Sequence, residues 1–162
     1  MSNGIFYEIE QQLTSKGLRI SNKDISRPWG GFFVLDETQA EKFIQLYFPQ
    51  LSLQEVSITN KLSPKILIVA PHKRLSWQYH FRRAELWRVV KGPVAVAKND
   101  TDEQKDMHVY KDGEFITLKQ GERHRLIGLN DYGIVAEIWQ HTDADNPSDE
   151  DDIVRLQDDF GR

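Results

Sequence analysis

The chain has 162 residues, 39% of them apolar and 28% charged, with a formal net charge of −4 at neutral pH. This length predicts one domain with a single substantial core, and the mild acidity argues against a nucleic-acid surface. No cysteine occurs, which excludes disulfides and thiolate sites; no apolar run approaches the ~20 residues of a membrane span and no signal-peptide pattern opens the chain, so a cytoplasmic protein without a membrane partner is expected.

Residues 1–20 predict a short amphipathic helix. Ile5, Phe6, Ile9 and Leu13 recur at helical spacing and Gly17 supplies a stop. Such a stripe packs on a core or on a second subunit; Glu8 and Glu10 are its only acids, so no catalytic role is expected of it. The chain divides into an N-terminal helical extension over 1–26 and a β domain over 27–162. In SRPWGGFFVL, Pro28 fixes φ and Gly30–Gly31 permit a sharp bend before a strand at Phe32–Leu35. Arg27 and Trp29 read as a stacked pair closing one end of a barrel. Within 36–61, Ala40, Phe43, Ile44 and Tyr47 have helical spacing and Pro49 ends the helix, which predicts a helical insert serving as lid, oligomer contact or cover.

From Lys65 a β pattern takes over. KILIVAP predicts a strand buried on both faces, and short β-rich runs follow, broken by Gly and Asp clusters as far as IVAEIWQH. This pattern predicts an all-β sandwich or barrel. Trp77, Trp87 and Trp139 read as barrel packing, and Arg88 reads as exposed. The acidic stretch Asp143–Asp152 reads as solvated loop before Ile153, Val154 and Leu156 restore apolar character.

Metal-ligand chemistry concentrates in LSWQYHFRRAELWRVVKG, residues 75–92. Gln78 and His80 are two apart and leave one face of a strand. Glu85 joins them only if the chain bends near Arg82–Ala84. His124 is the candidate fourth ligand, three residues after the turn at Gly121. One amide, two imidazoles and one carboxylate suit a divalent ion: zinc first, with manganese, iron, nickel and cobalt as alternatives. The ordinary reading of any lone histidine is a surface or hydrogen-bonded residue.

These residues carry a resemblance. LSWQYHFRRAELW followed by VVKG is similar to the metal-binding signature of the cupins, in the version found in type II mannose-6-phosphate isomerases and phosphoheptose-isomerase-like cupins. Gly121, His124, Arg125 and Leu126 match that family's second motif, Arg27–Gly30 its opening motif, and Glu150–Arg162 its ending. The resemblance implies an all-β double-stranded β-helix, or jelly roll, to which this chain adds its small helical N-terminal region and, as its main departure from the family pattern, the helical insert at about 36–61. It implies metal ligands at Gln78, His80, Glu85 and His124, and a catalytic arginine at Arg155, which otherwise reads as an ion-pair anchor. Arg83, inside the motif, is expected to orient Glu85. Leu86 departs from the family, which has histidine there; lying beside a ligand, it is expected to point away. The proline usual before Gly121 is also missing, and the chain is too short for the nucleotidyltransferase domain often fused to this family.

The implied activity is aldose–ketose isomerisation of a sugar phosphate, mannose-6-phosphate or a related heptose phosphate, through a cis-enediolate. The substrate phosphate is expected to meet Arg27, Lys73, Arg74 or Arg82. His72, Glu137 and His141 stand as alternatives for the base. Another metal-dependent cupin enzyme, an epimerase or dioxygenase, and a non-catalytic sugar-binding cupin are the competing readings. A homodimer is expected.

Overall fold

One glycine sets the chain direction after the first helix. The computed structural model describes residues 2–161; Met1, and Arg162 at the end of the last motif, lie outside them. Helix α1 spans Ser2–Ser15, and Gly17 follows with φ 79°. Its N–H donates to Thr14 O at 3.0 Å and the N–H of Leu18 to Leu13 O at 3.1 Å. That pair of bonds needs a left-handed residue between them, which glycine adopts without strain. Leu13 and Leu18 are both buried where the chain turns back.

The helical part of the N-terminal segment therefore ends early. Residues Ile20–Arg27 form a strand, β1, not a continued helical extension. The strand is polar along most of its length because it lies at a sheet edge, exposed except at Ile20, Asp24 and Arg27. It pairs antiparallel with β2, Gly30–Leu35. Gly30, at φ 142°, sits against β3 so closely that a Cβ there would lie 2.0 Å from Ile68 O; only glycine fits.

The insert folds as a 3₁₀ turn at Glu37–Gln39, helix α2 at Ala40–Tyr47 and a short α3 at Leu53–Val56. The strands β3 (Lys65–Val69), β4 (Trp77–Tyr79), β5 (Arg83–Lys91), β6 (Val94–Asn99), β7 (His108–Tyr110), β8 (Phe115–Leu118), β9 (Arg123–Gly128), β10 (Gly133–His141) and β11 (Val154–Gln157) complete the chain. They form a six-stranded sheet ordered β1-β2-β3-β10-β5-β8 and a five-stranded sheet ordered β11-β4-β9-β6-β7, every pairing antiparallel. This is the jelly-roll architecture expected. No described helix is long and apolar enough to cross a membrane.

The larger sheet is apolar on both faces, and each face has its own partner. Trp87, Val89, Leu67, Val69 and Val135 face inward, where Val94, Val96 and Leu126 of the other sheet meet them. Ile66, Ile68, Ile134, Ala136 and Ile138 face outward and are covered by Phe6, Ile9 and Leu13 of α1 and by Phe43, Ile44 and Tyr47 of α2. The insert is thus cover, packed as core, and all five residues of β3 are buried as its apolar run predicted. Arg88 faces this outer layer too. It is half-buried, not exposed, and donates to Tyr47 O at 3.1 Å because β5 runs beneath the helix.

Phe43 is fully buried between helix and sheet. Phe43→Ala is expected to cost about 3–5 kcal/mol through lost burial and a cavity, read as a lower urea midpoint with unchanged slope. A cost below ~1 kcal/mol would identify the insert as a surface lid.

Candidate metal centre and cavity

Strand register brings the predicted ligands together from two sheets. In the smaller sheet Arg155 of β11 lies opposite Gln78 of β4, and Gln78 opposite His124 of β9. In the larger sheet Glu85 of β5 lies opposite Trp139 and Leu118. The chain crosses from one sheet to the other between Tyr79 and Arg83, the bend Glu85 required, and His80 sits in the crossing. All four side chains are buried. Glu85 Oε1 is 3.2 Å from His124 Nε2, and Glu85 Oε2 is 3.6 Å from His80 Nε2. One donor atom from each of His80, Glu85 and His124 lies within 4.8 Å of the other two.

Backbone carbonyls decide which imidazole nitrogens face the centre. His80 Nδ1 is 2.7 Å from Asp152 O, and His124 Nδ1 is 3.0 Å from Glu122 O. A carbonyl only accepts, so each ring carries a proton on Nδ1 and presents Nε2 toward Glu85. Glu85 Oε1 is buried and finds no hydrogen-bond donor. Burial drives His80 down to about 3, against the pull of the Glu85 charge, so its ring is neutral. Burial is the largest influence on Glu85 and opposes its ionisation, but the Arg83 guanidinium together with His80 and His124 outweighs it and holds the carboxyl well below its ordinary range. Neutral imidazoles and an ionised carboxylate are the forms that bind a metal. The Gln78 amide nitrogen donates to Ser76 O and Oγ at 3.2 and 3.1 Å, leaving its oxygen as the acceptor end. The His–His–Glu group fits a metal ion.

Arg83 binds the centre to the C-terminal segment. Its Nε donates to Glu85 Oε2 at 2.8 Å and its Nη1 to Ser148 Oγ at 2.9 Å, while its guanidinium lies 3.5 Å from the Trp139 ring centre. Its Nη2 is 3.2 Å from His80 Nε2, a contact that an incoming ion would replace. Asp152 completes the clamp. Its carboxylate accepts from the N–H groups of Phe81 and Arg82 at 2.9 and 3.0 Å and from Ser148 Oγ at 2.6 Å. The acidic tail is therefore not all solvated: Ser148 and Asp152 are buried, and they fix the crossing that carries His80.

A cavity opens over these ligands. Its volume is about 80 Å³, room for an ion with water but well under the ~300 Å³ of a typical small-molecule site. Gln78, Glu85 and His124 share its wall with Arg27, Lys65, Glu137, Glu150 and Arg155. Lys65 is buried, 4.7 and 4.5 Å from the ring centres of Phe32 and Trp139, and its Nζ is 2.6 Å from Glu150 Oε1. Glu137 is buried and accepts from Trp87 Nε1 at 2.7 Å and Trp139 Nε1 at 2.8 Å.

Residues 36–158 match the family described as mannose-6-phosphate isomerase C-terminal. The chain belongs to that family. The match includes the helical insert that the motifs alone set apart. Among its relatives, the xanthan biosynthesis protein XanB of Xanthomonas campestris is 26% identical over 96% of this chain and 27% of its own length. The alginate biosynthesis protein AlgA of Pseudomonas aeruginosa is 30% identical over 77% of this chain and 24% of its own. The chain thus spans about a quarter of the length of these relatives. Solved structures share the fold: hazelnut vicilin (TM-score 0.56, 19% identity, 86% of this chain and 36% of that one) and the capsular polysaccharide assembling protein CapF of Staphylococcus aureus (TM-score 0.54, 15% identity, 86% and 32%). The barrel is that of the cupins.

Against this family frame the predicted site residues separate into two groups. Arg155 lines the cavity, and its side chain makes no hydrogen bond or ion pair with the described residues. Arg27 also lines it; its Nε is 2.9 Å from Asp24 Oδ2, and its guanidinium lies over Phe32, not over Trp29 as expected. Lys73, Arg74 and Arg82 do not line the cavity. Lys73 is exposed after β3, Arg74 forms a two-pronged pair with Asp159, and Arg82 donates to Asn146 O among the acids of the tail. Of the three candidate bases only Glu137 faces the cavity. His72 is exposed, and His141 is enclosed between Ser63 and Ser148. Leu86 packs against the outer layer, away from the ligands. Trp87 and Trp139 do more than pack, since both hold Glu137. Lys65 escaped notice inside the run KILIVAP, although one lysine in an otherwise apolar buried strand is itself a signal.

Proton linkage makes the metal-free protein acid-sensitive. Burial lowers His80 to about 3 and His141 to about 4, both from 6.5, while burial and Glu85 raise Glu137 from 4.5 to about 7. Between pH 6.5 and 4.5 the unfolded chain binds two imidazole protons that the folded chain refuses, and the folded chain keeps one carboxyl proton that the unfolded chain has lost. The difference is about one proton, so stability is expected to fall by roughly 1.4 kcal/mol per pH unit on acidification across this window. His141→Asn removes one refused proton and is expected to flatten the profile. Urea melts at a series of pH values read both slopes, and equal slopes would contradict the assignment.

Proposed function

We propose that this domain is a metal-dependent sugar-phosphate isomerase, interconverting an aldose phosphate and its ketose through a cis-enediolate, with mannose-6-phosphate or a related heptose phosphate as substrate. The observation that carries this reading is Glu85 Oε1, a buried carboxylate oxygen without a donor, faced by His124 Nε2 at 3.2 Å in a wall that also holds unpaired Arg155. Membership of the mannose-6-phosphate isomerase C-terminal family supports it. A divalent ion held by Gln78, His80, Glu85 and His124 would supply Lewis-acid stabilisation of the negative charge that grows on the carbonyl oxygen. Zinc is the first choice; four protein donors leave room for substrate only if the ion takes five or six ligands.

The chain's own residues supply the rest. Arg155, opposite Gln78 on the neighbouring strand, steadies the enediolate oxygens. The enclosed cavity admits the C1–C2 end of an open-chain sugar and leaves its phosphate at the mouth. Lys65 and Arg27 hold that phosphate there, in place of Lys73, Arg74 and Arg82. A buried ammonium needs an anion, and the present partner of Lys65 is Glu150, whose side chain is 59% exposed and free to swing away.

A coupled assay with mannose-6-phosphate and a panel of aldose phosphates tests this. Turnover is expected to stop on chelation and return with added metal. Arg155→Ala is expected to lower kcat by about 10²–10³-fold, and Lys65→Ala to act mainly on KM. Metal present with no turnover on any sugar phosphate would favour a non-catalytic sugar binder. Turnover surviving Gln78→Ala with His80→Ala would remove the mechanism.

A further inference from the structure

The cavity wall contains three carboxylates: Glu85, Glu137 and Glu150. Glu85 is bound to Arg83 and faces the imidazoles, and Glu150 stands at the exposed mouth with its side chain 59% exposed. His124 is the one histidine among the wall residues, and its Nε2 faces Glu85. Glu137 remains. Its rung of the larger sheet runs Lys65, Glu137, Trp87 across β3, β10 and β5, so it stands two residues along β10 and one strand across from Glu85, which lies opposite Trp139.

Its setting suits proton transfer. Each carboxylate oxygen accepts one indole N–H, from Trp87 and from Trp139, which fixes the plane of the group while leaving each oxygen a second lone pair. Neither indole is among the metal-binding side chains. Lys65 lies beside it on the same rung and Arg83 and Glu85 nearby, so both the charged and the neutral form have a favourable neighbour. The group is buried, and burial favours its neutral form, so it accepts a proton more readily than an exposed carboxylate.

Resting on the isomerase reading above, we infer that Glu137 is the general base that moves the substrate proton between C2 and C1. Its carboxylate takes the proton from C2 of the open-chain aldose. The C2–H bond breaks, its electron pair forms the C1–C2 double bond, and the carbonyl π pair passes to O1. Glu137, now a neutral acid, returns the proton to C1 while the hydroxyl proton of O2 passes to O1 and the C2 carbonyl forms. Nothing is oxidised or reduced overall beyond the exchange between C1 and C2, and no co-reactant is consumed. Trp87 and Trp139 act through Glu137, as positioning residues.

The test is isomerisation in D₂O, following deuterium at C2 of the aldose and C1 of the ketose by NMR, for the metal-loaded wild type and Glu137→Gln. The amide keeps the shape of the group and can still accept from one indole. The variant is expected to bind metal with wild-type stoichiometry, to keep KM within a few-fold, and to lose kcat and deuterium incorporation together by about 10²–10⁴-fold. Glu137→Ala is expected to regain exchange on addition of formate, which a purely structural carboxylate would not allow. Wild-type exchange that survives Glu137→Gln overturns the assignment and leaves the isomerase reading standing. A metal-loaded wild type that exchanges no proton on any aldose phosphate overturns that reading and the assignment with it.

Discussion

A buried carboxylate oxygen faced by imidazole nitrogens and without a hydrogen-bond partner among the described residues is the constraint to which the rest of this structure answers. Glu85 Oε1 and His124 Nε2 lie 3.2 Å apart, and Glu122 O takes the proton on the far nitrogen of the same ring. Leaving a buried polar atom unsatisfied costs on the order of 1–3 kcal/mol, more for a charge. The fold holds this arrangement in place by excess packing elsewhere. The larger sheet is sealed on its inner face by the opposing strands and on its outer face by α1, α2 and α3. Rigid surroundings are what keep like partners from drifting apart, so the helices behind the sheet serve the centre although none of their residues line the cavity.

The second consequence is electrostatic. Arg83 is charged, buried and bonded at once to Glu85, Ser148 and the backbone of Asp149. It neutralises Glu85 from behind and leaves Oε1 facing the cavity. Asp152 plays the matching part for His80, holding its Nδ1 through a backbone carbonyl and pinning the crossing between sheets through its carboxylate. The centre is thus assembled from three distant stretches of chain: the crossing at 78–85, the turn before His124, and the segment 148–152. Arg155, at the start of the last strand, follows directly from that segment, so docking the tail positions a cavity arginine in the same step.

Much of this was legible in the sequence, and the exceptions share a cause. Gln78, His80, Glu85 and His124 were readable because ligand spacing is local and the strands around them alternate strongly. The helices at 2–15 and 40–47 were readable from their periodicity. The strand at 20–27 was not, because an edge strand has no buried face to impose alternation. Lys73, Arg74 and Arg82 looked like phosphate ligands because they flank the motif, but Asp159 and Asn146, 85 and 64 residues away, take the two arginines. Asp152 was hidden in a charge run, and Lys65 in an apolar one. In each case the deciding partner is brought in from a distant stretch of chain by the C-terminal loops, and such long-range pairing is what a single sequence conceals.

The central proposal is that His80 from the crossing, Glu85 from β5 and His124 from β9 hold one cation. X-ray absorption at the metal edge of the purified protein, with metal counted per chain, tests it most directly. The structure predicts one ion per chain with a scattering shell of two imidazoles among oxygen donors, reduced to one imidazole in either His80→Ala or His124→Ala. A protein without bound metal after incubation with zinc, manganese, iron, nickel and cobalt in turn, or a metal shell without imidazole, would contradict it.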